Sequence, residues 1–343
     1  MLIDKLITQV KALNLNLKGK VVLTEAASGA YVVTPLIAAI AGAKVFAFSK
    51  STSYGTVEEI FSNTQYYIDK FEGVLDITFI TELTPEIISQ ADIITNSGHL
   101  RPLDESKLQH AKDGVVIPLM YEAWEWRDTD MDIHYIRKRG FKVGATNERH
   151  SKIDVFNYLG DMALKQIFDA GICPYNNDFL LVCNNDFGPF IAKTISKNCR
   201  NLGVIDLDSN KSKYDLDSID WIGGFPNLNI PEKYKQSEAI IFTAYPFDKN
   251  WIGENTDLSL DTLKLKIENP YVLRFCGDID SLAFDKYKVN YFPKIVKSGH
   301  MGILPSAIGF DPIIRLQSGG LKVSESLITG DYMFNNETLL DIV

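Results

Sequence analysis

The sequence predicts an α/β protein of two doubly wound domains, built on mainly parallel sheets with a cleft between them. Three observations carry this. Residues 19–55, GKVVLTEAASGAYVVTPLIAAIAGAKVFAFSKSTSYG, spell an apolar strand, a tight turn at Gly29, a small-residue helix and a second apolar strand, the opening βαβ unit of a nucleotide-binding sheet. Short apolar runs then alternate with helical segments, which implies parallel strands covered on both faces. From residue 179 the same plan begins again.

Each element follows from its pattern. Leu2, Ile3, Leu6, Ile7, Val10 and Leu13 recur at helical spacing and predict an amphipathic helix over 2–14. The first strand covers 21–24. Proline is tolerated only near a helix start, so Thr34-Pro35 puts the next helix start close to Val33 and leaves 25–31 as a long loop. Further strands are expected at 44–49, 77–80, 93–96, 115–118 and 142–145. Ile153, Phe156, Leu159, Met162, Ala163 and Ile167 predict a helix over 152–170. It would join a first domain at 1–150 to a second at 171–343, with 151–170 as the connection. The second pass has a strand at 179–183, a turn around Gly188, a helix at 190–199 and a strand at 204–207. Strands at 239–243 and 271–275, with a helix over 260–267 between them, complete it. Asp206 and Asp208 stand 18 and 20 positions after Gly188, near the distance of a ribose-binding acid.

Composition narrows the class. In 343 residues, 45% hydrophobic and 23% charged, there is material for two ordinary cores. A net charge of −9 argues against nucleic acid and anionic membranes as partners. No uncharged apolar run is long enough for a membrane span, and the first residues lack the order of a signal peptide, so a cytoplasmic protein is expected. The partner implied is a small-molecule substrate, with a homodimer as a possible assembly. Cys173, Cys183, Cys199 and Cys276 lie far apart without C-x-x-C spacing, which suggests reduced thiols and no metal site.

Residues 91–132, ADIITNSGHLRPLDESKLQHAKDGVVIPLMYEAWEWRDTDMD, carry a family likeness. An Ala-Asp-apolar strand, a polar turn with Gly98, a short helix ending in Lys112-Asp113-Gly114 and a strand at 115–118 resemble the later half of the NAD-binding Rossmann domain of S-adenosylhomocysteine hydrolase. The D-2-hydroxyacid dehydrogenases share this plan. The resemblance covers roughly residues 18–150 and implies that Asn96, Ser97, Gly98 and the loop 119–122 line a ligand crevice on the nicotinamide side. The chain departs from the pattern in three places. The glycine fingerprint is reduced to Gly29, no acid ends the second strand, and Pro118-Leu119-Met120-Tyr121 replaces the hydrolase's Asn-Ile-Gly-His.

The expected cofactor is NADP or NAD. Ser28, Gly29 and Ala30 form the phosphate turn, and Ser49, Lys50 and Ser51 stand where a ribose acid is usual; Lys50 would attract a 2′-phosphate, which favours NADP. The same residues also read as an ordinary polar loop, with Thr56 capping the helix that follows. Glu25, where a glycine commonly begins the turn, opposes a pyrophosphate.

Three residues are candidates for catalysis. His300 lies in Lys297-Ser298-Gly299-His300-Met301-Gly302, where flanking glycines allow close backbone approach. The other reading is a glycine-rich surface turn. His99 follows Gly98 at a strand's carboxyl end, where doubly wound sheets place ligands, with Arg101 beside it. Glu122, with Glu125, lies among Tyr121, Trp124 and Trp126, and a carboxylate against indole rings is desolvated and suited to acid–base work. An aromatic packing cluster explains the tryptophans equally well. The predicted activity is an NAD(P)-dependent oxidoreductase acting on a small polar metabolite in the cleft. The alternative is a non-redox enzyme or binding module for a nucleotide or nucleotide-sugar.

Overall fold

The computed structural model describes residues 1–330. Within them the chain forms two compact units, Met1–Val155 joined by the segment from Gly309, and Phe156–Ile308.

The first unit is a six-stranded sheet. Its strands are β1 (Val21–Glu25), β2 (Lys44–Phe48), β3 (Ile77–Ile80), β4 (Ile93–Ile94), β5 (Val116–Pro118) and β6 (Lys142–Gly144). They are all parallel and run in the order β3-β2-β1-β4-β5-β6. Strand side chains alternate between two cores. Val22, Val45, Ile93 and Val116 face one with the helices Leu2–Ala12 and Val33–Ile40, while Leu23, Phe46, Ile94 and Ile117 face the other with Ile88, Leu108 and Ile136. This is double winding: period-2 strands buried on both faces. The helix near Val33 begins there, after a tight 3-10 turn at Gly29–Val32. Thr56 caps the helix Val57–Ile68 by accepting the Glu59 amide at 3.2 Å, and the Glu59 carboxylate in turn accepts the Thr56 amide at 2.8 Å.

The second unit repeats the plan. Strands β7 (Asp178–Cys183), β8 (Asn201–Asp206), β9 (Asp220–Gly224), β10 (Ala239–Thr243), β11 (Asn250–Gly253), β12 (Leu258–Ser259), β13 (Tyr271–Cys276), β14 (Asp278–Ile279) and β15 (Asn290–Phe292) divide into two sheets. The larger runs β15-β13-β10-β7-β8-β9, and β12-β11-β14 form a small parallel sheet beside it. With β7 as its first strand, the larger sheet has the same 3-2-1-4-5-6 order as the first unit, the Rossmann arrangement. Its register shifts at Phe242/Thr243 in the β10–β13 pair and at Val204/Ile205 in the β8–β9 pair, irregularities that the first sheet's pairings, among the described residues, do not show.

Packing divides the chain differently from the expected boundaries at 150 and 170. The α-helix of the join is Leu159–Asp169, after a 3-10 turn at Phe156–Tyr158, and it packs within the second unit on the helix Gly188–Ile195 and β13. The last described helix, Asp311–Thr329, belongs to the first unit, not the second. Its Ile313, Ile314, Leu321, Val323 and Leu327 enter the first core, and Gly320 lets it approach Met120, whose sulfur would lie 2.4 Å from a Cβ there. The remainder of the expected second domain, 331–343, lies outside the described residues. Among the described residues no helix is long and apolar enough to cross a membrane.

Candidate functional site

In both sheets the strand order reverses at the first strand, between β1 and β4 and between β7 and β10. Neighbouring connections leave such a point in opposite directions, and the crevice opens at the strands' carboxyl ends.

In the first unit that edge holds most of the expected residues. Ser28, Gly29 and Ala30 form the turn after β1, and Gly29 adopts φ 62°, the left-handed region glycine favours. A Cβ on Gly29 would meet nothing within 4 Å, so this face of the turn is open. Ser49 is buried at the end of β2, with Oγ 3.5 Å from His99 Nδ1. Lys50 and Ser51 are exposed, and Ser51 Oγ accepts the Val57 amide at 3.3 Å. Glu25 is buried at the end of β1, and its Oε2 accepts the His99 amide at 2.9 Å. Its charge is therefore tied to the loop after β4, across the crevice.

That loop is a polar lattice. Thr95 Oγ1 donates to Thr24 Oγ1 at 2.8 Å and lies 2.6 Å from Ser97 Oγ. Asn96, fully buried, accepts from Arg101 Nε through Oδ1 and from Arg101 Nη2 through its carbonyl, both at 2.8 Å, and donates to the Tyr121 hydroxyl at 2.8 Å. Arg101 also pairs with Asp130 at 3.4 Å and lies over the Tyr121 ring. Gly98 is exposed, and a Cβ on it would stand 3.4 Å from the Glu25 carboxylate.

Beyond β5 and β6 three carboxylates meet. Glu122 accepts from Trp124 Nε1 and, at 3.0 Å, from the Glu148 amide, and pairs with Arg149 at 3.6 Å. Glu125 Oε1 accepts the Glu122 amide at 3.4 Å. Burial, then the Glu122 charge, pushes the Glu125 carboxyl up to about 7. Burial with Glu125 and Glu122 beside it holds Glu148 well above the ordinary carboxyl range. Burial first, then the charges of Glu25, Glu148 and Glu125, pushes the Tyr31 hydroxyl up to about 12. Neighbouring acids that cannot all ionise share protons, the property wanted of a general acid or base. Among the described residues no three such side chains are placed to hold a metal ion.

The second unit places His300 in the loop after β15, where its Nδ1 lies 2.9 Å from the Ser298 carbonyl. The loop is clasped to Asp278, which accepts from Ser298 Oγ and from the Gly299 amide at 3.2 Å and pairs with Arg274. Gly302 packs against backbone: a Cβ there would stand 1.9 Å from the Arg274 carbonyl oxygen. Here the glycines and the Gly299 amide serve the loop's own packing. Asp206, expected as a ribose acid, is fully buried at the end of β8 and accepts from the Tyr214 hydroxyl at 2.6 Å and the Leu207 amide at 2.6 Å. Asp208 is exposed beside Gly224. All four cysteines are free thiols.

His99 and Glu122 thus share the first unit with the expected cofactor residues, and His300 belongs to the second. Sequence reasoning passed over Tyr31, Glu148 and Asp130. Only position offered a signal: each falls in a loop that leaves or follows a strand's carboxyl end, beside β1, β6 and β5 respectively.

No protein-family model matches the chain, and no curated protein matches it by sequence. Solved structures do. A dipicolinate synthase structure from Bacillus halodurans superposes with a TM-score of 0.55 at 11% identity, over 92% of this chain and 98% of its own. A transhydrogenase from Sinorhizobium meliloti gives 0.53 at 12% identity, over 94% and 97%. A D-lactate dehydrogenase from Lactobacillus jensenii, solved with NAD+, gives 0.50 at 12% identity, over 90% and 97%. At these identities the likeness establishes the fold, two mainly parallel Rossmann-type sheets, in agreement with the resemblance seen in residues 91–132.

Proposed function

We propose that this chain is an NAD(P)-dependent oxidoreductase acting on a small polar metabolite, with its chemistry at the carboxyl edge of the first sheet. One observation carries the reading: the expected cofactor residues and His99 follow β1, β2 and β4, flanking the point where the 3-2-1-4-5-6 order reverses, where such sheets bind ligands, and Glu122, Glu125 and Glu148 follow β5 and β6 at the same carboxyl edge. The D-lactate dehydrogenase solved with NAD+ adds a precedent on the same fold.

The residues present suit a dinucleotide in the first unit. The open turn Ser28-Gly29-Ala30 would take the pyrophosphate, and Glu25, held by the His99 amide, is directed to the opposite loop. Ser49, Lys50 and Ser51 would take the adenosine ribose, without a carboxylate to repel a 2′-phosphate, which favours NADP over NAD. Asn96, Ser97 and Gly98 would border the nicotinamide. The cofactor supplies the hydride acceptor or donor. The protein supplies orientation and proton transfer. Arg101, fixed by Asn96 and Asp130, presents a cation at the crevice. His99, or Glu122 with Glu125 and Glu148, holds or moves the proton at the substrate oxygen. His300 is the further candidate acid or base, in the second unit.

A thermal-shift and tryptophan-fluorescence titration with NADH and NADPH tests this. A ligand at a hundredfold excess over its Kd stabilises the native state by about 2.7 kcal/mol, so binding raises Tm. No shift and no quenching with either cofactor at millimolar concentration would sink the proposal. The second reading, a non-redox enzyme for a nucleotide or nucleotide-sugar, draws on Glu25 at the end of β1 and on Glu122, Glu125 and Glu148 beyond β5 and β6, since carboxylates accept from sugar hydroxyls. It predicts a shift with a nucleotide-sugar and none with NAD(P)H.

A further inference from the structure

The second unit has the strand order, the turn and the strand-end acid of a nucleotide-binding sheet, yet both of its anchoring groups are already in use. In such sheets the ligand supplies two kinds of contact: an acceptor oxygen for the turn amides after the first strand, and hydroxyl donors for the acid that ends the second. Here the turn is Cys183-Asn184-Asn185-Asp186-Phe187-Gly188, between β7 and the helix Gly188–Ile195. Asn185 Oδ1 accepts the Phe187 amide at 3.0 Å, and Asn185 Nδ2 donates to Thr243 Oγ1, at the end of β10, at 3.0 Å. The side chain therefore spans the reversal point of the sheet with a carbonyl oxygen on the turn.

Asp206 is equally engaged. The Tyr214 hydroxyl donates to Oδ2 at 2.6 Å, the Leu207 amide to Oδ1 at 2.6 Å, and Asn210 Nδ2 lies 3.2 and 3.3 Å from the two oxygens. Tyr214 is 7% exposed and its ring packs edge-on to Trp221. Its hydroxyl reaches over the start of the helix, where a Cβ on Gly188 would lie 2.1 Å from it and 3.2 Å from Asp206 Oδ2. The glycine that in a fingerprint keeps helix and strand close here makes room for a tyrosine hydroxyl.

We propose that the nucleotide crevice of the second unit is occupied by the chain itself. The Tyr214 hydroxyl stands in for a ribose hydroxyl on Asp206, and the Asn185 amide oxygen stands in for a phosphate oxygen on the turn. These residues do not fit a dinucleotide, so any dinucleotide bound by the chain is held elsewhere, one per chain. The inference rests on the second unit alone and does not depend on the reading of the first.

Hydrogen–deuterium exchange of the full-length protein, with and without millimolar NADH, NADPH or ADP-ribose, tests it. Exchange over 183–190 and 205–214 is expected to stay within about twofold of the free protein. In parallel, Asp206→Asn leaves affinity for these ligands within about twofold, where a working ribose acid would cost about tenfold. Protection over 183–190, or that tenfold loss, overturns the proposal. Should Asp206→Asn fail to fold, Asn185→Ala replaces it with the same expectation, and the wild-type exchange decides by itself. Protection confined to 26–33 and 96–101 supports both this inference and the proposed function. No protection anywhere leaves the second unit closed, as inferred, and removes the dinucleotide from the first.

Discussion

Glu125 carries a pH consequence with a defined window. Its carboxyl, ordinarily near 4.5, sits at about 7 because burial and Glu122 disfavour its charge. Between those values the folded chain keeps a proton that the unfolded chain has lost, so stability falls as pH rises from about 4.5 to 7 and then levels. Glu148 adds to the same slope, its carboxyl raised by burial, Glu125 and Glu122. Glu125→Gln removes one titrating group, so a series of Tm values across that window flattens relative to wild type; an unchanged slope would count against a raised carboxyl. Gly302 gives a second residue-scale test. A methyl there must displace the Arg274 backbone, so Gly302→Ala is expected to destabilise by about 1–3 kcal/mol in urea unfolding. A neutral result would show that the loop is not packed as described. His99 was legible as a candidate because it follows a strand end in the sequence, and Glu122 because it lies among Tyr121, Trp124 and Trp126. Glu148 was not, since only the closing of β6 beside β5 brings it against Glu122.

At the scale of elements, strands were read more surely than their neighbours. Residues 77–80 and 239–243 announce β3 and β10 to the residue, because short β-branched and aromatic runs between polar breaks have one reading. The helix Asp311–Thr329 went unread. Its Pro312 is a good helix-start signal, but Ser318, Gly319, Gly320, Ser324 and Ser326 interrupt the apolar stripe. Those small residues are buried, because the helix lies tight on β5, β6 and the helix Val33–Ile40. Thr34 Oγ1 donates to Gln317 at 3.0 Å, and Lys142 Nζ to the Leu327 carbonyl at 2.9 Å. Leu321 is fully buried in this layer, so Leu321→Ala is expected to cost about 2–5 kcal/mol by chemical denaturation. A loss below about 0.5 kcal/mol, the range of surface changes, would mean that the helix does not belong to the first core.

For the whole molecule, the sequence foretold two passes through one plan, and both sheets have the same strand order. What it could not tell is which unit the last helix joins, because amphipathic periodicity names a buried face without naming the partner. Residues 156–308 contain a complete sheet, its helices and a contiguous core around Phe242, Tyr234 and Phe284. Expressed alone, this segment is expected to unfold cooperatively in urea, with sharp near-ultraviolet dichroism. Residues 1–308, which lack the closing helix, should instead bind hydrophobic dyes or precipitate. Non-cooperative unfolding of 156–308 would refute its independence.

The two bonds from Arg315 to the carbonyls of Lys152 and Ile153, at 3.5 and 3.3 Å, show where the chain leaves and re-enters the first unit. Those points are neighbours, although the sequence separation of Arg315 and Ile153 is 162 residues. During synthesis this inverts the expected sequence of events. The sheet translated first waits, one flank uncovered, until the last helix clears the ribosome, by which time the segment translated second has all the residues of its own core. Nascent chains arrested at increasing lengths would show this as protease resistance arising in 156–308 before 1–155.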